Sequence, residues 1–258
     1  MAEAKPVLDG NRTSYEWLEA KPTICVLPIG TFEQHSRHLP LMTDNILAEY
    51  FARFLAAELD AALLPIPNYG TSLEQTGFMG TVTLRPETFM RIIRDIADAV
   101  EEQGFTRMVV VNTHGGNFSL GPVVRDINRM NRPLKIVLAA PGASVDGSCL
   151  ESAKLGRQDI HAGEFETSVM LSVAPELVKP GGVDMVPTEA NFRQSDLNMF
   201  GMGWNAPEGA YGSPSLASKE KGDILVASSK EGLVRHVRER LAWLDKNDTY
   251  AGKDMNER

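Results

Sequence analysis

Residues 28–45 bring together side chains that divalent metal ions prefer as ligands. Glu33, His35, His38 and Asp44 all fall within this stretch, and such side chains supply the oxygen and nitrogen atoms that bind Zn²⁺ and Mn²⁺. Glu33 and His35 are two residues apart, so in an extended segment their side chains point to the same side. The segment alone leaves a second interpretation open, namely an acidic surface loop with two hydrogen-bonded histidines.

A second polar segment, Asn112-Thr-His-Gly-Gly-Asn117, follows a strongly apolar run. Gly115 and Gly116 have no side chains that could block a metal ion or a substrate beside His114. Asn117 could cap the next helix, whose free backbone N–H groups could hold an anion. The same residues are also typical of an ordinary turn, and this alternative stays open.

The third segment extends from Asp159 to Ser168 and contains His161, Glu164 and Glu166. If a helix begins here, His161 and Glu164 share one face because they are three residues apart. Glu166 would then point elsewhere and would balance the helix dipole.

The charge of these groups favours two metal ions. Two divalent cations would slightly outweigh the three negative charges of Glu33, Asp44 and Glu164. Without metal, three carboxylates facing one cavity would repel one another and raise each other's pKa. A metal pair would polarise a carbonyl group and lower the pKa of a shared water, which predicts hydrolytic chemistry.

The apolar pattern predicts the elements that position these residues. Strands and helices alternate along most of the chain, which is typical of a mainly parallel sheet covered on both faces. Sites in such sheets form outside the carboxyl ends of the strands, where Glu33, His35 and His114 are expected. Strands are predicted at 23–29, 107–111 and 134–140, with a short strand at 81–84 and a further short apolar run at 62–67. Helices are predicted at 43–60 with Asp44 as N-cap, 86–103, 118–130, 162–173 and 218–244.

Composition narrows the classes of function and partner. The net charge of −8 disfavours nucleic acid and anionic membranes, which require a basic face. Two cysteines in unrelated contexts, with no signal peptide and no run of 18 apolar residues, predict a cytoplasmic protein without a membrane span. With no internal repeat or linker, we expect one domain over residues 1–258, with a core at about 14–245.

One long segment, 175–214, shows little periodicity. Its apolar residues predict a pocket wall or a contact between subunits, although simple core packing explains them equally well. These residues are Phe192, Met199, Phe200, Met202 and Trp204.

The order and spacing of three motifs resemble the creatininase (creatinine amidohydrolase) family. The motifs are Gly30-Thr-Phe-Glu-Gln-His35 continuing to Thr43-Asp44, then Asn112–Asn117, and then His161–Ser168. The resemblance implies an α/β/α three-layer sandwich with two divalent metal ions, typically Zn²⁺ or Mn²⁺, in a homohexamer. The Glu, His and Asp ligand types also accept Fe²⁺. Its members hydrolyse amide-type bonds in small cyclic or formylated molecules, and some relatives act on keto-inositol or keto-sugar compounds.

The resemblance also implies roles for individual residues. Glu33 and His35 would each bind one metal, Asp44 would bridge the pair, and His114 would join the metal of Glu33. Creatininase has a glutamate ligand at the position of Gly116, and Glu164 is expected to fill that missing place.

Further roles follow from the same resemblance. His161 matches the catalytic histidine that moves a proton between water and leaving group. Ser72 matches a serine that contacts substrate. Gly115 and Gly116, which have no side chains to block it, are also expected to contact the substrate. Three residues are expected to support the ligands by hydrogen bonds without binding metal themselves: His38, Asn117 and Glu166.

Two departures indicate a branch other than creatininase itself. The tyrosine after the motif histidine is replaced by Gly115, and Leu155-Gly-Arg-Gln158 stands where creatininase has a tryptophan. We therefore predict a hydrolase that cleaves an amide, lactam or formamide C–N bond in a small molecule. Two alternatives remain, a hydrolase of a keto-cyclitol or keto-sugar with the same metal site, and a metal-binding assembly protein without turnover.

Overall fold

Four parallel strands lie at the centre of the computed structural model, which describes residues 6–130, 132–185, 194–204 and 206–247. Their order in the sheet is β2-β1-β3-β4. Parallel neighbours require crossover connections, and helices supply them. The strands are β1 (Ile24–Ile29), β2 (Ala62–Leu63), β3 (Arg107–Asn112) and β4 (Lys135–Ala139).

Helices cover both faces of this sheet. Val26, Val109 and Val137 belong to one buried cluster, and the alternate strand residues Leu27 and Val110 belong to a second. This alternation follows from the two-residue period of a strand. The first cluster includes residues of α2, α6 and α7, and the second includes residues of α3 and α4. The predicted α/β/α three-layer sandwich with a mainly parallel sheet is therefore confirmed.

The helices begin and end close to the predicted positions. Pro86 opens α3 at a position that needs no N–H donor, and Gly104, with a φ of +93°, follows its end. The helices are α1 (Ser14–Ala20), α2 (Thr43–Leu59), α3 (Pro86–Glu102), α4 (Leu120–Asn128), α5 (Glu151–Lys154), α6 (Glu164–Val173) and α7 (Lys219–Asn247).

Two details of the predicted elements are wrong, namely the N-cap of α2 and the strand at 81–84. Met42 is the N-cap of α2, and Asp44 lies inside its first turn. The run 62–67 contributes only the two residues of β2. The predicted strand 81–84 is reduced to a single bridge between Phe32 and Val82.

The pairing of β1 with β3 determines where the polar loops meet. Ile29 and Asn112 are register partners at the carboxyl ends of these strands. The segments that follow them, from Gly30 and from Thr113, therefore leave the sheet side by side. Thr113 joins them directly, because its N–H donates to the Ile29 carbonyl and its hydroxyl donates to the Asp44 carbonyl.

Within the described residues, no helix is both long and apolar enough to cross a membrane. In the 175–214 segment, Met202 is buried against Tyr211, while Met199, Phe200 and Trp204 are exposed. Phe192, predicted to lie in the same apolar set, falls outside the described residues.

Candidate metal centre

Six side chains that could bind metal meet beyond the carboxyl ends of β1 and β3. They come from four separate elements, the loop after β1, the first turn of α2, the loop after β3, and the start of α6 with the residues before it. Three overlapping groups among them and their neighbours hold ligand atoms within 4.8 Å of one another. The six are Glu33, His35, Asp44, His114, His161 and Glu166.

Asp44 lies between two histidines. Its Oδ1 is 3.8 Å from Nε2 of His35, and its Oδ2 is 3.3 Å from Nδ1 of His114. The carboxylate therefore presents one oxygen to each imidazole. That Asp44 bridges two metal ions stays a prediction.

The backbone determines which ring nitrogen of each histidine faces the centre. Nδ1 of His35 lies 3.2 Å from the Glu33 carbonyl, and Nε2 of His114 lies 3.1 Å from the Thr71 carbonyl. A carbonyl can only accept, so these nitrogens carry the protons. The opposite nitrogens, Nε2 of His35 and Nδ1 of His114, are left to face the carboxylates.

Glu33 is completely buried, and neither carboxylate oxygen hydrogen bonds to another described residue. Its Oε1 lies 3.3 Å from Nδ1 of His114 and 3.6 Å from Nδ1 of His161. Burial raises the pKa of Glu33 to about 8, because a carboxylate loses its hydration there.

The carboxylates change the titration of the two histidines that face them. Burial alone would lower the pKa of His35, but Glu166 and Asp44 outweigh it and hold this pKa well above the usual value. For His114, Glu33 and Asp44 outweigh burial in the same way and raise its pKa. Without metal, the centre therefore favours positive charge on both imidazoles.

His161 differs from the other two histidines. Its Nε2 lies 2.9 Å from the Gln34 carbonyl, so its Nδ1 is the nitrogen free to accept a proton. Burial, reinforced by positive charge on His35, lowers the pKa of His161 to about 4. The imidazole is therefore neutral near pH 7.

The prediction that Glu164 is a metal ligand is corrected by its position. Glu164 accepts hydrogen bonds from the backbone N–H groups of Glu151 and Ser152, at 2.9 and 2.7 Å, and pairs with Lys221 at 2.6 Å. Glu164, at the start of α6, therefore caps the N-terminus of α5 and links α5 to Lys221 of α7. Glu166, predicted to have only a supporting role, instead faces His35, with its Oε1 3.5 Å from Nε2.

The error about Glu164 has a local cause. His161 lies before α6 and pairs with Tyr211 in an isolated bridge, and Ala162 has a φ of +49°. The three-residue helical spacing between His161 and Glu164 therefore does not apply. The backbone turn at Ala162 is held by Glu166 itself, whose Oε2 accepts the Ala162 N–H at 2.8 Å.

Other predicted site residues support loops. His38 hydrogen bonds to Thr167 of α6 at 2.9 Å, and Thr167 is not one of the six candidate ligands. Asn117 is not the cap of α4, whose N-cap is Ser119. Its amide instead joins the Gly30 carbonyl, the Asn112 side chain and the Thr71 N–H.

Ser72 is placed differently from its prediction as a substrate contact. It is completely buried, and its hydroxyl lies 2.6 Å from that of Thr31. The loop that carries Ser72 reaches the cavity two and three residues later, through Glu74 and Gln75.

A cavity of about 420 Å³ opens onto the centre. His161 and His114 lie in its wall together with Gly115 and Gly116, and the substrate contact predicted for the two glycines stays a prediction. The rest of the wall is mixed polar and apolar: Glu74, Gln75, Phe118, Ile160, Ser195, Leu197 and Met202.

Sequence reasoning missed Glu74 and gave Gln34 no role. The Gln34 amide donates to Gln75 Oε1 at 2.7 Å and to the Gly209 carbonyl at 2.9 Å. It thereby joins three loops around His161. The only signal in the sequence was its position between Glu33 and His35.

Comparison with known proteins was consistent with these motifs. Residues 11–237 match the family model described as "Creatininase: Creatinine amidohydrolase". The chain is 30% identical to the mycofactocin precursor peptide peptidase of Mycobacterium tuberculosis (strain CDC 1551 / Oshkosh), covering 93% of this chain and 92% of the relative. It is 27% identical to the creatinine amidohydrolase of Pseudomonas putida, covering 92% and 98%. The fold matches the solved structure "Creatininase Mn" with a TM-score of 0.77 at 24% identity, covering 91% of this chain and 99% of the other.

Proposed function

The chain belongs to the creatininase family, and on that premise we propose that it is a dinuclear metal-dependent hydrolase of amide-type C–N bonds. The proposed substrate is a small molecule that contains an amide, a lactam or a formamide. Two of its relatives are named as an amidohydrolase and as a peptidase, and both names describe cleavage of a C–N bond. A third relative, at 23% identity, is named as a 3-dehydro-scyllo-inosose hydrolase, which supports the keto-cyclitol alternative.

One observation carries the metal part of the proposal. Both oxygens of Glu33, one oxygen of Asp44 and Nε2 of His35 are buried without a hydrogen-bond partner among the described residues. A buried polar atom without a partner costs about 1–3 kcal/mol, and more when it is charged. These atoms point toward one another across a centre where a cation would satisfy them. The residues therefore fit divalent metal ions.

The distances suggest which residues would hold each ion. Glu33, Asp44 and His114 surround one position, and His35, Asp44 and Glu166 surround the other. Asp44 belongs to both sets because its two oxygens face different histidines. Carboxylate and imidazole ligands suit Zn²⁺, Mn²⁺ and Fe²⁺, so the ligand types alone do not select one metal.

The chain's own residues would carry the proton transfers. When bound, the two ions would polarise the substrate carbonyl and lower the pKa of a water near it. His161 is neutral, lies in the cavity wall, and directs Nδ1 toward Glu33. It would accept a proton from the attacking water at Nδ1 and return it to the leaving nitrogen.

A second candidate substrate within the same chemistry is a peptide. The relative at 30% identity is named as a peptidase of a precursor peptide, and the cavity wall offers apolar side chains that suit peptide side chains. Phe118, Leu197 and Met202 are among them. A peptide bond is also an amide, so the same centre would act on it.

Two measurements test the proposal together. Metal analysis of the purified protein should find tightly bound divalent metal, and less than about one equivalent would contradict every metal-dependent mechanism. The Zn²⁺- or Mn²⁺-loaded protein is then incubated with creatinine, cyclic amides, formamides, short peptides and keto-inositols. Release of amine, ammonia or formate supports C–N cleavage. Turnover of the keto-inositols alone would favour the keto-cyclitol alternative, and bound metal without any turnover would favour the assembly protein.

The assembly and location remain part of the proposal. We propose a cytoplasmic homohexamer, which the family resemblance suggests. The side chains of Trp204 and Met199 are 84% and 67% exposed in the single chain, as expected if a neighbouring subunit covers them. Light scattering in solution gives the molar mass that decides this point.

A further inference from the structure

The geometry points to Glu74 as the residue that positions His114, and to Gly116 as the residue that leaves space for it. The Glu74 carboxylate rests against the Nε2 side of His114 and so directs Nδ1 toward Glu33 and Asp44. The inference rests on the proposed function, because it assigns Nδ1 to a metal ion. Glu33, Glu74 and His114 also have ligand atoms within 4.8 Å of one another, but Glu74 contacts Nε2 of His114, whereas Glu33 and Asp44 contact Nδ1. We therefore assign Glu74 a positioning role.

The two edges of the His114 ring meet opposite partners. On one edge, Nε2 lies 3.0 Å from Oε1 of Glu74 and 3.1 Å from the Thr71 carbonyl. On the other edge, Nδ1 lies 3.3 Å from both Glu33 and Asp44. The Nε2 proton is therefore held between two acceptors, and rotation of the ring would break contacts on both edges.

Charge makes Glu74 more than a filler of space. The residue is only 6% exposed, so water screens its carboxylate poorly. A carboxylate next to the N–H of a metal-binding imidazole increases the basicity of the other ring nitrogen and fixes the tautomer. The Thr71 carbonyl can fix the proton, but it contributes no net charge.

Gly116 gives independent support for this arrangement. A Cβ atom built at Gly116 would collide with Oε1 of Glu74 and with Nε2 of His114. Any side chain at this position would therefore displace the contact between the two residues.

The backbone does not require a glycine at this position. Gly116 is not among the glycines with a positive φ, so its conformation is open to other residues. Space for the pair formed by Glu74 and His114 is the physical reason that the structure offers. The glycine and the glutamate, 42 positions apart in the sequence, thus form one unit with the histidine.

The test compares Glu74→Ala, Glu74→Gln, Gly116→Ala and the double variant Glu74→Ala/Gly116→Ala. The controls are Glu176→Ala, which removes an exposed carboxylate, and Gly121→Ala, where a new Cβ meets nothing within 4 Å. The first measurement is the Zn²⁺ dissociation constant by competition with a chelator. The second is the NMR spectrum of the His114 ring nitrogens in the metal-free protein.

We expect Glu74→Ala to weaken Zn²⁺ binding by about 10- to 100-fold, the usual effect of removing such a partner. Glu74→Gln should lie between wild type and Glu74→Ala, since it keeps an acceptor oxygen and loses the charge. Gly116→Ala should match Glu74→Ala, and the double variant should be no weaker than either single variant. The His114 signals should shift in Glu74→Ala and stay unchanged in both controls.

Zn²⁺ affinities within about twofold of wild type in Glu74→Ala and Gly116→Ala would overturn the inference, as would fully additive losses. Glu74→Gln preserves shape and decides the question if Glu74→Ala does not fold. If the wild-type protein binds no divalent metal, the proposed function fails. The NMR comparison in the metal-free protein then still decides whether Glu74 holds His114.

Discussion

Glu166 and His35 face each other across the centre, with Oε1 of Glu166 3.5 Å from Nε2 of His35. Glu164 precedes Glu166 by two residues on the same helix. Its carboxylate instead accepts a hydrogen bond from the Ser152 N–H of α5 and pairs with Lys221. Residues two apart on a helix point in nearly opposite directions, so only one of these glutamates can reach the centre. The two side chains are chemically the same and serve as controls for each other.

We predict that Glu166→Gln removes metal and that Glu164→Gln does not. Glu166→Gln takes the charged oxygen from the set formed with His35 and Asp44, so the protein should lose about one of its two ions. Elemental analysis after dialysis against a weak chelator measures the number of ions retained.

Glu164→Gln should instead reduce stability. The substitution breaks the pairing with Lys221 and weakens the cap on α5, and we expect a loss of about 1–3 kcal/mol in the free energy of unfolding. Urea unfolding of the metal-free protein measures it. Loss of metal in Glu164→Gln with full retention in Glu166→Gln would reverse the assignment.

The sequence predicted Glu164 at the centre, whereas the structure places Glu166 there, and this difference shows where sequence reasoning fails. The strands, the helices and the meeting of Glu33, His35 and His114 follow from apolar periodicity and from the geometry of a parallel sheet. The position of a residue at a helix start depends on where the helix begins, and sequence patterns fix that point only within a few residues. The φ of +49° at Ala162 leaves no trace in the sequence pattern.

The supporting hydrogen bonds were also beyond sequence reasoning. Ser72 belongs to the loop that reaches the site, yet its hydroxyl hydrogen bonds to Thr31. Glu74, two residues later, lies in the cavity wall. Such contacts join loops that are distant in the sequence. No periodicity encodes them, since each depends on the path of an irregular backbone.

Asp44→Ala should lose both metal ions, unlike Glu166→Gln. Its two oxygens face His35 and His114 separately, and no other described carboxylate makes contacts within 4.0 Å to both of these histidines. We expect less than about a tenth of an equivalent of metal after the same dialysis. Asp44→Asn is the shape-matched variant, and circular dichroism checks that α2 still forms. If Asp44→Ala retained one full ion, Asp44 would belong to a single metal site.

Metal binding should release protons and become stronger as the pH rises. The pKa values of His35 and His114 are held well above the usual range in the metal-free protein, so a cation must displace their protons. The Zn²⁺ affinity should therefore increase from about pH 6 to about pH 9. A pH indicator in weakly buffered solution measures the protons released.

The same raised pKa values predict the stability of the metal-free protein. Protonated His35 and His114 stabilise the folded state fully below about pH 6.5, the usual histidine pKa, and this stabilisation is lost as pH rises through the folded pKa values. Thermal unfolding at several pH values should show this loss without metal and a smaller one with saturating Zn²⁺. A Zn²⁺ affinity that does not change with pH would contradict the proton displacement.

His161→Ala should keep both ions and lose turnover. Its Nε2 is held by the Gln34 carbonyl and its Nδ1 faces Glu33, so the imidazole is placed to carry a proton from water to the leaving group. Removal of such a group reduces the rate by about 10²- to 10⁴-fold. The rate is measured with whichever of the amide, peptide or keto-inositol compounds proposed above is turned over. Metal content is measured on the same sample. A ring nitrogen of His161 also lies within 4.8 Å of ligand atoms of Glu33 and His35. Loss of one ion in His161→Ala would therefore show that His161 is a metal ligand. A full complement of metal at an unchanged rate would instead exclude His161 from the proton transfer.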